Sequence, residues 1–116
     1  MRIRRVVPNL QTSHTEESRE FYGGFLGFQV GMDMEWIVTF VSGENPTAQL
    51  SVITSDLTAP VHPDVSIEVD QLDELYAEAV RRGFEILYPL TEEEWGVRRF
   101  FVRDPNGRVL NLMTHA

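Results

Sequence analysis

The chain of 116 residues is long enough for one compact domain, and with 42% hydrophobic residues it can build a core. A formal net charge of -8 repels phosphate backbones and argues against nucleic acid as a partner, while no apolar run approaches the length of a membrane-spanning helix. With no cysteine there is no disulfide, thiolate metal site or cysteine nucleophile, and the charged start Met1-Arg2-Ile3-Arg4-Arg5 lacks the apolar stretch of a signal peptide, so a cytoplasmic protein is expected.

Residues 3–10 read as a strand with Val6, Pro8 and Leu10 on one face and Arg5, Val7 and Asn9 on the other; Pro8 suggests an edge or a bulge. Ser13-His14-Thr15-Glu16 has capping-box spacing, and Phe21, Tyr22, Phe25 and Leu26 follow at helical spacing, so a helix is predicted over about 15–26, ended by Gly27. Strand-like runs come next near 28–33, 35–42 and 48–54, the second rich in β-branched and aromatic residues. Two prolines make 55–63 a linker.

The same order then starts again. Val65, Ile67 and Val69 alternate with Asp64, Ser66 and Glu68. Asp70 is placed to cap a helix with the apolar stripe Leu72, Leu75, Tyr76, Ala79 and Val80, closed by Gly83. Strands are predicted near 84–88, 97–103 and 108–114, the last two joined by the turn Asp104-Pro105-Asn106-Gly107. The acidic stretch Glu92-Glu93-Glu94 reads as a solvated loop.

Two modules emerge, about 1–54 and about 64–116. Gly27-Phe28 and Gly83-Phe84 end the two helices; Val7/Asn9 matches Asp64/Ser66 at an offset of 57, and Leu50-Ser51-Val52 matches Leu110-Asn111-Leu112 at an offset of 60. The fold class is α+β: two β-α-β-β-β modules forming curved mixed sheets around a cavity.

Three stretches carry a family resemblance: Ser18-Arg19-Glu20-Phe21-Tyr22 with Leu26-Gly27-Phe28; Val65 to Asp70 with Leu75-Tyr76; and Trp95-Gly96-Val97-Arg98 followed by Phe100 to Gly107. Together, in this order and over nearly the whole chain, they resemble the vicinal oxygen chelate superfamily of glyoxalases, extradiol dioxygenases and bleomycin-resistance proteins. The resemblance implies a homodimer and four inward strand positions that, in metal-dependent members, hold His, Gln or Glu around a divalent ion. Here those positions carry Val7, Ser51, Asp64 and Asn111. Only Asp64 is a good ligand, so no metal and no cofactor is expected. His14, His62 and His115 sit at positions that favour surface residues, although His62 lies two residues from Asp64 and His115 could approach a neighbouring module.

Asp64 and Glu68 share a strand face, where they could form a general base or stay hydrated. Of the aromatic residues, Trp36 and Phe40 share a face and either line a cavity or pack in the core; Phe100 and Phe101 point to opposite faces. Trp95 stands where resistance proteins of this family carry an aromatic wall, suited to flat or cationic ligands. Arg98 is either an anion-binding residue or an exposed strand residue.

The candidate ligand-binding set is therefore Trp36, Phe40, Ser51, Asp64, Trp95, Arg98 and Asn111. The expected function is metal-free binding of a small aromatic or cationic molecule, with catalysis in doubt. The alternatives are a metal-dependent lyase, isomerase or dioxygenase of the same superfamily with displaced ligands, or a metal-free one using Asp64, and an interaction module with a filled interior.

Overall fold

A computed structural model describes residues 1–55 and 58–115. Asp56 and Leu57 of the expected linker, and Ala116 at the end of the second module, lie outside the described residues. The elements follow the order β1 (Ile3–Gln11), α1 (Thr15–Ser18) continued as a π-helix (Arg19–Phe25), β2 (Gln29–Asp33), β3 (Ile37–Val41), β4 (Gln49–Ile53), β5 (Val65–Val69), α2 (Leu72–Arg81), β6 (Ile86–Glu92), β7 (Val97–Arg103) and β8 (Val109–His115). This is β-α-β-β-β twice, an α+β fold. Among the described residues no helix is long and apolar enough to cross a membrane.

The chain divides into two compact units, Val7–His62 and Met1–Val6 with Pro63–Ala116. The first six residues thus belong with the second half of the chain, a partition that the repeat in sequence does not disclose.

In the Val7–His62 unit the strands run β2-β3-β4-β1, with β1 parallel to β4 and the other pairs antiparallel. Val38 and Phe40 of β3 and Leu50 and Val52 of β4 pack with Tyr22 and Phe28 from the helix and its exit. The helix differs from expectation at both ends. Its start carries no capping box: His14 is the cap residue, and Thr12 Oγ1 accepts the His14 N–H at 2.9 Å. Its second half widens, with the Leu26 N–H reaching the Phe21 carbonyl five residues back. Helical spacing of 3.6 residues no longer applies there. Tyr22 reaches the core, but Phe21, Phe25 and Leu26 stay exposed. Gly27, at φ +88°, closes the helix as expected.

On β1 the buried residues are Val7 and Asn9, while Val6 and Leu10 are exposed.

In the other unit β5, β8, β7 and β6 lie side by side, β5 parallel to β8. One face packs against α2: Val69, Phe100, Val102 and Leu112 meet Leu72, Leu75, Tyr76 and Ala79. Val80 is exposed rather than part of this stripe. Eight residues beyond Leu72 it has turned about 80° away from it at 3.6 residues per turn. Asp70 does not cap α2. Its carboxylate accepts the backbone N–H of Arg2 at 2.7 Å and ties the chain's start to β5, while Gln71 takes the cap position.

At the helix exit, the Phe84 N–H bonds the Ala79 carbonyl across Gly83 at φ +73°. The β7–β8 turn closes as predicted: the Gly107 N–H bonds the Asp104 carbonyl, and Asp104 Oδ1 accepts the N–H groups of Asn106 and Arg108. β6 extends to Glu92, well past the expected 88, so the acidic stretch is part strand and part turn.

Phe100 is fully buried, with its ring edge-on to Tyr76 at 4.9 Å. Phe100→Ala is expected to cost about 3–5 kcal/mol, whereas Val80→Ala on the exposed side of α2 should change stability by less than about 0.5 kcal/mol. Urea unfolding of the two variants checks the pair.

Candidate functional site

Because strand side chains alternate, the residues turned away from each helix are fixed once the helix side is known. In the Val7–His62 unit they form a small polar row: Asn9 is paired with Ser51, and Ser51 with Thr39. All three are buried, and the Thr39 and Ser51 hydroxyls lie 2.7 Å apart. His62 Nε2 lies 3.0 Å from the Asn9 carbonyl, which ties the end of the linker to β1.

The second unit repeats the register. Ser66 is paired with Asn111, and Asn111 with Phe101. Asn111 Nδ2 donates to Ser66 Oγ at 2.9 Å. Asn111 is only 7% exposed, and its Oδ1 is buried with no hydrogen-bond partner among the described residues. Such a group is costly, and native structures contain few.

Asp64 stands at the entry to β5. Its Oδ2 accepts the Val109 N–H at 2.8 Å, and its own N–H bonds the Val109 carbonyl. Of the four positions matched to the family's metal ligands, Val7 has no donor atom in its side chain, Ser51 is bonded to Thr39, Asp64 spends one oxygen on backbone, and Asn111 keeps a buried open acceptor among the described residues. Among the described residues no three His, Asp or Glu side chains gather as a metal would need.

Glu68 is paired across strands rather than with Asp64. Arg5 Nε lies 2.6 Å from its Oε1 and His115 Nδ1 3.1 Å from its Oε2, so this carboxylate joins β1, β5 and β8. Burial pushes its pKa up, but the hydrogen bonds and charges of His115 and Arg5 outweigh that and leave it below the ordinary range.

The acidic stretch contains a second surprise. Glu93 is buried, and its Oε2 accepts Arg99 Nε at 2.7 Å and the Tyr88 hydroxyl at 3.1 Å. The Arg99 guanidinium sits 5.0–5.4 Å from the ring centres of Phe101, Trp95 and Tyr88. Only Glu92 and Glu94 are exposed. The acidic residues were visible in the sequence, but their partner was not: Arg99 precedes Phe101 by two on the same strand face, an arginine placed where a hydrophobic residue would serve packing.

The remaining candidates separate. Phe40 is fully buried under Tyr22 and Phe28, and so serves the core rather than a ligand. Trp36 is half-buried ahead of β3, its carbonyl accepting from Thr54. Arg98 points to the helix side and pairs with Asp73 of α2, so neither an anion site nor a bare exposed residue describes it. Trp95 covers Arg99. Elsewhere, an open groove of about 540 Å³ runs from Leu26 to Gln29 and from Ser42 to Glu44, lined by none of the candidate residues.

A sequence profile of the glyoxalase/bleomycin resistance protein/dioxygenase superfamily matches residues 2–112. The chain belongs to that superfamily. A member from Vibrio splendidus 12B01 superposes with a TM-score of 0.72 at 21% identity, covering 97% of this chain and 99% of that one. A hypothetical protein from Bacillus halodurans C-125 gives 0.75 at 12% identity, covering 100% and 96%. The Mn(II)-bound glyoxalase from Novosphingobium aromaticivorans gives 0.66 at 15% identity; 97% of this chain matches 37% of that one. At these identities the likeness is one of fold. No curated protein matches the sequence.

Glu68 binds its proton less tightly in the folded chain than in the unfolded one. Its stabilising effect is therefore complete above the ordinary carboxylate pKa and is lost as pH falls through the lowered folded value. Melting temperature measured from pH 7 down to pH 3 should fall for the wild type, and Glu68→Gln should show a shallower acid limb from a lower starting point.

Proposed function

We propose that this protein binds a small, flat, hydrogen-bond-donating molecule on the face of the β5–β8–β7–β6 sheet turned away from α2, and that it does so without a metal. The observation that carries this reading is the buried, unpartnered Oδ1 of Asn111 beside Phe101. A ligand N–H would satisfy the oxygen, and an aromatic ring lies next to it. Asp64 favours a cation, since one carboxylate oxygen is committed to Val109 and the other is left for a ligand. The cations nearest this face are already matched, Arg99 by Glu93 and Arg5 by Glu68, so an anion finds little to attract it. The metal-free part rests on Val7, whose hydrocarbon side chain removes one of the four family positions from any coordination shell.

Three planar probes of one shape test the charge and the donor together: benzamidine, benzamide and benzoate, titrated while amide shifts of Asn111 and Ser66 are followed. Benzamidine should bind most tightly, benzamide less so and benzoate least. Asn111→Leu should weaken the first two about ten-fold, the equivalent of one hydrogen bond worth about 1.4 kcal/mol. Binding of no probe at millimolar concentration would overturn the proposal, as would a melting point raised by manganese or nickel ions in the wild type but not in Asp64→Ala.

The proposal includes a homodimer, supported by the family resemblance and by the exposed rings of Phe21 and Phe25, 5.3 Å apart on the first helix. Light scattering at twice the chain mass, reduced to the monomer by Phe25→Glu, is the expected result.

A further inference from the structure

The Glu68–His115 pair is a second cluster on the same sheet face. On β8 the residues sharing that face run Val109, Asn111, Met113, His115, and on β5 Ser66 and Glu68. His115 therefore lies four residues from Asn111, about 13 Å along the strand. Glu68 is largely buried, with 17% of its side chain exposed, while the His115 side chain is 55% exposed. Arg5 fixes one oxygen of the carboxylate and leaves the other for the imidazole. When His115 Nδ1 carries its proton toward Glu68, the unprotonated Nε2 is the basic atom of the ring. A carboxylate held below its ordinary range is a poor base itself but a good orienting partner, because it settles the imidazole tautomer and stabilises the imidazolium that forms.

We propose that His115 is a general base, oriented by Glu68 as a positioning residue, able to take a proton from a weakly acidic C–H or O–H of a small flat molecule. This stands apart from the ligand reading at Asn111, since it requires only the pair and its exposed nitrogen. No cofactor or co-reactant is involved. Arg5 and Arg99, the cations on the neighbouring strands β1 and β7, are matched by Glu68 and Glu93 and leave the basic nitrogen to His115.

The test substrate is 5-nitro-1,2-benzisoxazole, a flat neutral probe of base strength. His115 Nε2 takes the ring C–H proton, the C–H electron pair completes the nitrile, the N–O bond breaks, and oxygen leaves as the phenolate. The imidazolium then returns its proton to water. Phenolate absorbance should show a rate at least about a hundred-fold above that of His115→Ala, the low end for general-base catalysis. Imidazole added to His115→Ala should restore turnover.

His115→Gln separates base from latch, since glutamine can still donate to Glu68 but accepts no proton. It should keep the wild-type melting point and lose the rate. Glu68→Gln should lower the rate while leaving His115 in place. A His115→Gln rate equal to wild type, or a wild-type rate no greater than that of free imidazole at equal concentration, would overturn the proposal. Failure of the benzamidine series would leave it standing.

Discussion

A strand has two faces, and in each unit of this protein one helix claims one of them. That constraint organises everything else. Once Tyr22 and Phe28 cover β3 and β4, and α2 covers β5, β8 and β7, alternation fixes the residues left on the other side. In both units they include a polar row: Asn9, Thr39 and Ser51 in one, Ser66 and Asn111 in the other. Parallel pairing of the first and last strand of each unit then sets Asn9 beside Ser51 and Ser66 beside Asn111. A slip of one residue would carry Phe100 away from α2 and set Phe101 beneath it, so the packing of the helix protects the register of the polar face.

Much of this was legible in the chain because it depends on local periodicity. The element order, both helix-ending glycines and the Asp104–Gly107 turn follow from patterns of a few residues, and the offsets of 57 and 60 predicted the shared register of the two polar pairs. What escaped depends on geometry that local patterns do not contain. The widened turn at Arg19–Phe25 broke the assumed helical spacing, so an apolar set expected in the core left Phe21 and Phe25 at the surface. Asp70 looked like a helix cap because it precedes one, but Arg2, sixty-eight residues away, claims it instead.

The charged residues carry the same lesson more sharply. Composition suggested an acidic surface, and Glu92-Glu93-Glu94 read as its loop. The middle residue is nevertheless buried and bonded to Arg99, whose guanidinium three rings surround. Arg98, one residue earlier, faces the opposite way and serves α2 through Asp73. Two adjacent arginines thus have unrelated roles because the strand turns them to opposite faces. Burying an ion pair costs solvation that a hydrophobic pair would not. Here the Tyr88 hydroxyl and three ring faces offset part of that cost, and the pair anchors the turn that carries Trp95.

Set against this background of matched groups, the unpaired ones gain meaning. Asn111 holds an amide whose nitrogen is bonded to Ser66 and whose buried oxygen has no partner among the described residues. Glu68 shows the opposite economy. Both of its oxygens are engaged, and the engagement lowers its own basicity while fixing the ring of His115 at the strand's end. A carboxylate meant only to join strands would gain as much from a second arginine, which is always charged and presents more donors than histidine. Histidine at that place retains the strand contact and adds a second ring nitrogen, which joining strands does not require.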